Sequence, residues 1–138
     1  MRKYFVIFDT NVIVSGLYDD DPTSYPVRLL DYIYKDVIVP VYTEEILKEY
    51  KDVLNRDEFH LSKNIVGKMI NLIRSLGIVI TPEKLDIDFK DYDDLKFYEV
   101  LMTKDKRDKK LVTGNIKHFP IQKNILTPKE MIELIENK

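Results

Sequence analysis

Tyr4-Phe-Val-Ile-Phe8 breaks without transition into Asp9-Thr10-Asn11. An unbroken aromatic and β-branched run has no polar face, so it suits a strand covered on both sides, as in a parallel sheet. A carboxylate, a hydroxyl and an amide follow at the strand's carboxyl end, where open α/β sheets bind their ligands. The same residue types favour turns and helix caps, and the triplet alone does not separate the two readings.

Outward from this stretch, apolar runs recur at 37–41, at 78–81 and more weakly at 110–113. Between them, apolar residues repeat at helical spacing: Leu29, Leu30 and Ile33; Ile46, Leu47, Tyr50, Val53 and Leu54; Ile65, Val66, Met69, Ile70, Ile73 and Leu76. Gly77 is expected to stop the last of these helices in a left-handed cap. A further helix is expected from about Asp94, carrying Phe97, Val100 and Leu101. Thr127-Pro128-Lys129-Glu130 offers an N-cap, a proline at the first helical position and the glutamate of a capping box. Strands alternating with helices of this length predict an α/β fold, a mostly parallel central sheet sandwiched between helices.

The chain of 138 residues, 44% of them hydrophobic, has apolar side chains for one core, so one domain is expected over 1–138. It contains no Cys, which excludes disulfides and thiolate zinc sites. The apolar runs fall short of the roughly 20 residues of a membrane helix. Met1-Arg2-Lys3 and the short run after it lack the cleavage site of a signal peptide. A cytoplasmic location is expected. The formal net charge of −2 argues against a general polyelectrolyte binder, which would carry a basic excess. It agrees with carboxylates gathered to bind cations while lysines elsewhere face phosphates.

Three acids stand out. Asp9 ends the first strand. On the second helix, residues advance by about 100°, which puts Tyr50 in the middle of the apolar stripe and Glu49 nearest to it. Glu45 lies one turn earlier and slightly farther out, and a boundary glutamate of this kind is also an ordinary solvated one. Asp94 falls on the face of Phe97 and Leu101, where a carboxylate needs a partner. Asp91 reads as the cap of that helix, which would make Asp94 a favourable charge at its positive end. Thr113, Gly114 and Asn115 close the 110–113 run and would lie beside Asp9 if the two strands are neighbours. His60 and His118 have no His or Cys at ligand spacing and read as solvated or packed side chains. The 104–110 run reads as a solvated basic loop.

Together the blocks Val6-Ile-Phe-Asp-Thr-Asn-Val12, Thr43 to Leu54, Asp91-Tyr-Asp-Asp-Leu-Lys-Phe97 and Val112-Thr-Gly-Asn-Ile-Lys-His-Phe-Pro120 resemble the PIN-domain family, and within it the VapC-type toxins of toxin–antitoxin modules. The resemblance spans nearly the whole chain. It implies a PIN-like three-layer sandwich and a ribonuclease that holds Mg2+ or Mn2+ on Asp9, Glu49 and Asp94. Thr10, Asn11 and Thr113 match the family's supporting residues. The fourth acidic position is Asn115, which keeps an oxygen and loses the charge. The resemblance also implies an RNA substrate, an antitoxin protein that covers the groove, and a homodimer. Converging carboxylates repel one another unless a cation neutralises them, and oxygen donors select Mg2+ or Mn2+ over zinc. Two rivals remain. One is a non-catalytic nucleic-acid-binding PIN domain. The other is a receiver-type phosphoacceptor domain, whose later strand-end Asp and Lys have no counterpart that can be placed here.

Overall fold

Five strands pair in parallel: β1 (Tyr4–Phe8), β2 (Ile38–Tyr42), β3 (Ile78–Val79), β4 (Lys109–Val112) and β5 (Ile125–Leu126). In the computed structural model, which describes residues 2–137, their spatial order is β3-β2-β1-β4-β5. Met1 and Lys138, the two ends of the expected domain, lie outside the described residues. The uniformly apolar β1 is central, with a parallel neighbour on each side, and Val6, Ile7 and Phe8 are buried. The chain steps outward from β1 through β2 to β3, then crosses back to β4 on the other side of β1. That reversal makes the β1/β4 boundary the topological switch point, where an open sheet forms its crevice.

Among the described residues six α-helices flank the sheet: α1 (Thr10–Tyr18), α2 (Tyr25–Tyr34), α3 (Glu44–Leu54), α4 (Lys63–Leu76), α5 (Leu95–Met102) and α6 (Pro128–Glu136). α1 packs on α2 and α3, α3 packs on α4, and α2 packs on α6, whereas α5 packs on β1 and β4. The right-handed rule for parallel crossovers accounts for this division. The steps from β1 to β3 put their helices on one face, and the reversed step to β4 puts α5 on the other. Among the described residues no helix is long and apolar enough to cross a membrane.

The expected strands and helices are present, with three differences. α1 carries no amphipathic signature, because Val12, Ile13 and Val14 are consecutive and all buried. β-Branched residues are weak helix formers, so packing holds this helix. Gly16 lets α1 approach α2, where a Cβ would lie 2.5 Å from Leu30 Cδ1. β5 has two residues, too few for a periodic pattern. The third difference corrects the reading of Gly77, which is extended (φ −89°, ψ 178°) rather than left-handed. Glycine is required there for space: a Cβ would meet Ile73 O at 2.4 Å and Pro40 O at 2.7 Å. The expected capping box of α6 is complete, with Glu130 N donating to Thr127 Oγ1 at 3.1 Å and Thr127 N donating to Glu130 Oε1 at 2.8 Å.

Two glycines of α4, one inside the helix and one at its C-cap, therefore respond in opposite directions. Gly77→Ala forces backbone apart and is expected to destabilise by roughly 1–3 kcal/mol. Gly67, inside α4, has nothing within 4 Å of an added Cβ. Gly67→Ala should stabilise by about 0.5–1 kcal/mol through helix propensity. Urea unfolding of both variants checks the pair, and equal effects would overturn the assignment.

Candidate metal centre

The site begins where β1 and β4 end. Asp9 N donates to Val112 O at 3.0 Å, carrying the pairing one residue past Phe8. Asp9 is thereby level with Thr113. The Thr113 hydroxyl, itself wholly buried, donates to Asp9 Oδ2 at 2.7 Å and accepts from Asn115 N at 3.0 Å. Asp9 is also the N-cap of α1, its carboxylate accepting from Asn11 N at 3.4 Å. Both readings of the Asp9-Thr10-Asn11 triplet hold: it caps a helix, and it presents a buried carboxylate at a strand end.

α3 delivers Glu49. Ile46, Leu47, Tyr50 and Leu54 bury the helix's apolar stripe, and the Tyr50 hydroxyl donates to Phe8 O. This bond ties the helix to the end of β1 and places Glu49, one residue earlier, at the half-buried edge. There Glu49 Oε2 accepts from Thr10 Oγ1, and Oε1 lies 2.6 Å from Lys96 Nζ. Glu45 is exposed and reaches Lys84 at 3.5 Å instead. Glu49 is thus the nearer of the two to the apolar stripe, as the helical geometry expects, and its partners are Thr10 and Lys96 rather than solvent.

Asp94 ends the 3-10 turn Tyr92–Asp94 and precedes α5. Asp91 caps that turn, accepting from Asp93 N at 3.0 Å, as its position suggested. Asp94 Oδ2 lies 3.1 Å from His118 Nδ1. Here the reading of His118 as merely solvated or packed is corrected. Asp91, Asp94 and His118 each offer a ligand atom within 4.8 Å of the others. The absence of a His or Cys at ligand spacing was no guide, because the partners are carboxylates from another loop. Asn115 is exposed and directly precedes the 3-10 turn Ile116–His118. The basic run differs from a fully solvated loop as well, since Lys109 is buried and donates to Thr103 O at 2.7 Å.

The charges feel one another. Burial raises the Asp9 carboxyl above the usual aspartate range, opposed by the Thr113 and Asn11 hydrogen bonds, with repulsion from Glu49 and attraction from His118. Asp94 is raised by burial too, opposed by the His118 hydrogen bond and reinforced by Asp9 and Asp91. Burial, then Asp9 and Glu49, raise the Tyr50 hydroxyl, so it stays a donor to Phe8. Acids from three separate segments therefore share one electrostatic field beside an imidazole. A divalent cation relieves that repulsion, and the donors, carboxylate oxygens with one imidazole nitrogen, are of a type that binds one.

A doubly wound parallel sheet with carboxylates gathered at its switch point defines the class of protein. The PIN domain family matches residues 5–117, and the chain belongs to the PIN-domain family. It is similar to an uncharacterized protein of Methanocaldococcus jannaschii, 32% identical over 146 residues that cover 97% of this chain and 93% of the relative. No solved structure matches it. PIN domains are generally nucleases and usually bind a divalent metal. Membership displaces the receiver-type reading.

The raised carboxyls give a signed pH dependence. A folded-state pKa above the unfolded value means that the native form holds its proton more tightly. The associated stability is full below the unfolded pKa and is lost as pH rises through the folded one. Asp9→Asn mimics the protonated carboxyl. In chelator, its thermal midpoint should match wild type near about pH 4 and exceed it by roughly 3 °C at neutral pH. A less stable variant at neutral pH would contradict a strained Asp9.

Proposed function

We propose that the chain is a metal-dependent endoribonuclease, one PIN domain that hydrolyses phosphodiester bonds of single-stranded or looped RNA. What supports this reading is that buried Asp9, at the end of β1, is repelled by Glu49 of α3, and that Asp94, before α5, is repelled by Asp9 and by Asp91, with which and His118 it makes the tight ligand group. Asp9, Glu49 and Asp94 would hold Mg2+ or Mn2+. A divalent ion there supplies the charge that polarises a phosphodiester and acidifies a water molecule. The chain's own residues prepare the place. Thr113 and Asn11 fix the direction of Asp9, Thr10 fixes that of Glu49, and His118 holds Asp94. Asn115 keeps an oxygen at the fourth position for a polar contact without adding repulsion.

The family resemblance supports the further roles. We assign the protein to the cytoplasm as the toxin of a toxin–antitoxin module, with an antitoxin segment covering the crevice. Homodimerisation accords with the exposed aromatic rings of Tyr18 and Tyr34. A second reading, a non-catalytic nucleic-acid-binding PIN domain, is favoured by the neutral Asn115. Calorimetry with Mn2+ separates them, since the binder takes up negligible metal.

RNA supplied with purified protein and Mn2+ should be cleaved. Asp9→Asn and Asp94→Asn should each lower the rate by roughly 1,000-fold, about 4 kcal/mol of barrier. Cleavage at equal rates by wild type and both variants would trace the activity to a contaminant and sink the nuclease reading.

A further inference from the structure

His118 is one of two histidines in the chain, and the other, His60, follows the 3-10 turn Asp57–Phe59. Asp91, Asp94 and His118 are each half-buried, and each brings a ligand atom within 4.8 Å of the others. One turn sets both acids: Asp94 N donates to Asp91 O at 2.9 Å, and Asp93 N donates to Asp91 Oδ1 at 3.0 Å. A second turn sets the imidazole, with His118 N donating to Asn115 O at 2.9 Å. Among the described ion pairs, Glu49 has Lys96 and Glu99 has Lys84, but no lysine or arginine reaches Asp91 or Asp94. Two partly buried carboxylates thus lie together with an imidazole and no ammonium or guanidinium.

We infer that His118 is a metal ligand, making Asp91, Asp94 and His118 a mixed oxygen and nitrogen site that prefers first-row transition dications such as Mn2+ to Mg2+. The inference rests on the metal-dependent nuclease reading and deepens it, with Asp94 common to both sets of residues. Two carboxylates match the charge of one divalent ion. Mg2+ dehydrates reluctantly and keeps oxygen ligands, whereas an imidazole nitrogen suits transition ions. The edge-on contact of Phe89 with Phe119 brings the two turns together by apolar packing, so the three donors are gathered before any ion arrives. The bland alternative is a histidine that only holds Asp94 by the hydrogen bond at 3.1 Å. In that role it gives the ion no nitrogen ligand and no preference among dications.

A spectroscopic test reads the ligands directly. Mn2+ is loaded into the full chain, nitrogen coupling to its electron spin is read by electron spin echo envelope modulation, and calorimetry gives the affinities for Mn2+ and Mg2+. Wild type should show a directly bound nitrogen and bind Mn2+ more tightly than Mg2+. His118→Asn keeps an amide donor for Asp94 and removes the imidazole, and His118→Gln serves if circular dichroism shows that variant to be misfolded. The variant should lose the nitrogen coupling and bind Mn2+ at least about tenfold more weakly, no less than loss of an outer-shell partner costs, with a smaller change for Mg2+. His60→Asn should leave both readings as in wild type. Wild type without nitrogen coupling, a folded His118 variant that keeps it, or an equal loss of affinity for the two ions overturns the inference. Nitrogen coupling in a wild type that does not cut RNA counts against the nuclease reading alone, and cleavage by Mn2+-loaded protein without coupling counts against the inference alone. No uptake of Mn2+ at all overturns both.

Discussion

The pairing of β1 with β4 is the constraint from which the site follows. Phe8 stands opposite Val112, and the Asp9 N to Val112 O bond continues the ladder. Because both strands are packed on both faces, a slip of one residue would move every side chain to the opposite covered face and force both packed layers to rearrange. The register therefore fixes Asp9 beside Thr113 without any contribution from the site itself. The Tyr50 hydroxyl on Phe8 O then sets α3 against the same strand end, and Glu49 follows. Core packing delivers two of the three acids.

The third arrives by less regular means, and this divides what the sequence makes legible from what it hides. The buried strands, the stripe of α3 and the capping box of α6 each obey a local period or a local motif, and all appear where that logic puts them. Helical angle alone puts Glu49 nearer the stripe than Glu45. Asp94 shares a helical face with Phe97 and Leu101, both buried. What stays hidden depends on contacts between distant segments. α1 is helical because it packs, Gly77 is glycine because Pro40 is close, and His118 meets Asp94 across a sequence gap that no spacing rule covers. Lys96 belongs with these, since only the folded chain brings α5 to α3. The motifs that carry the family resemblance include Lys96 and His118 but imply no role for either.

The gathered acids oppose folding. Burial and mutual repulsion both disfavour the ionised forms of Asp9 and Asp94. The structure answers with partners: among the described residues no buried side-chain nitrogen or oxygen lacks a hydrogen bond. Each acid leans on a different donor, Thr113, Thr10, Lys96 or His118, so no single support carries the cluster.

Asp91 and Asp94 follow the long irregular segment after β3, where secondary structure cannot hold them. Buried Glu99 substitutes for it, accepting from Leu85 N at 2.9 Å, while Glu83 N donates to Thr103 Oγ1 at 2.8 Å. These bonds pin the segment along α5. Phe89 then packs on Tyr98 and meets Phe119 edge-on, the centroids 5.7 Å apart. Phe119 is the neighbour of His118, and Phe89 lies two residues before Asp91. One aromatic contact thus fastens the loop that bears the acids to the loop that bears the imidazole. The approach of His118 to Asp94 is consequently a product of apolar burial, which is indifferent to charge and persists whether or not the carboxylates are neutralised.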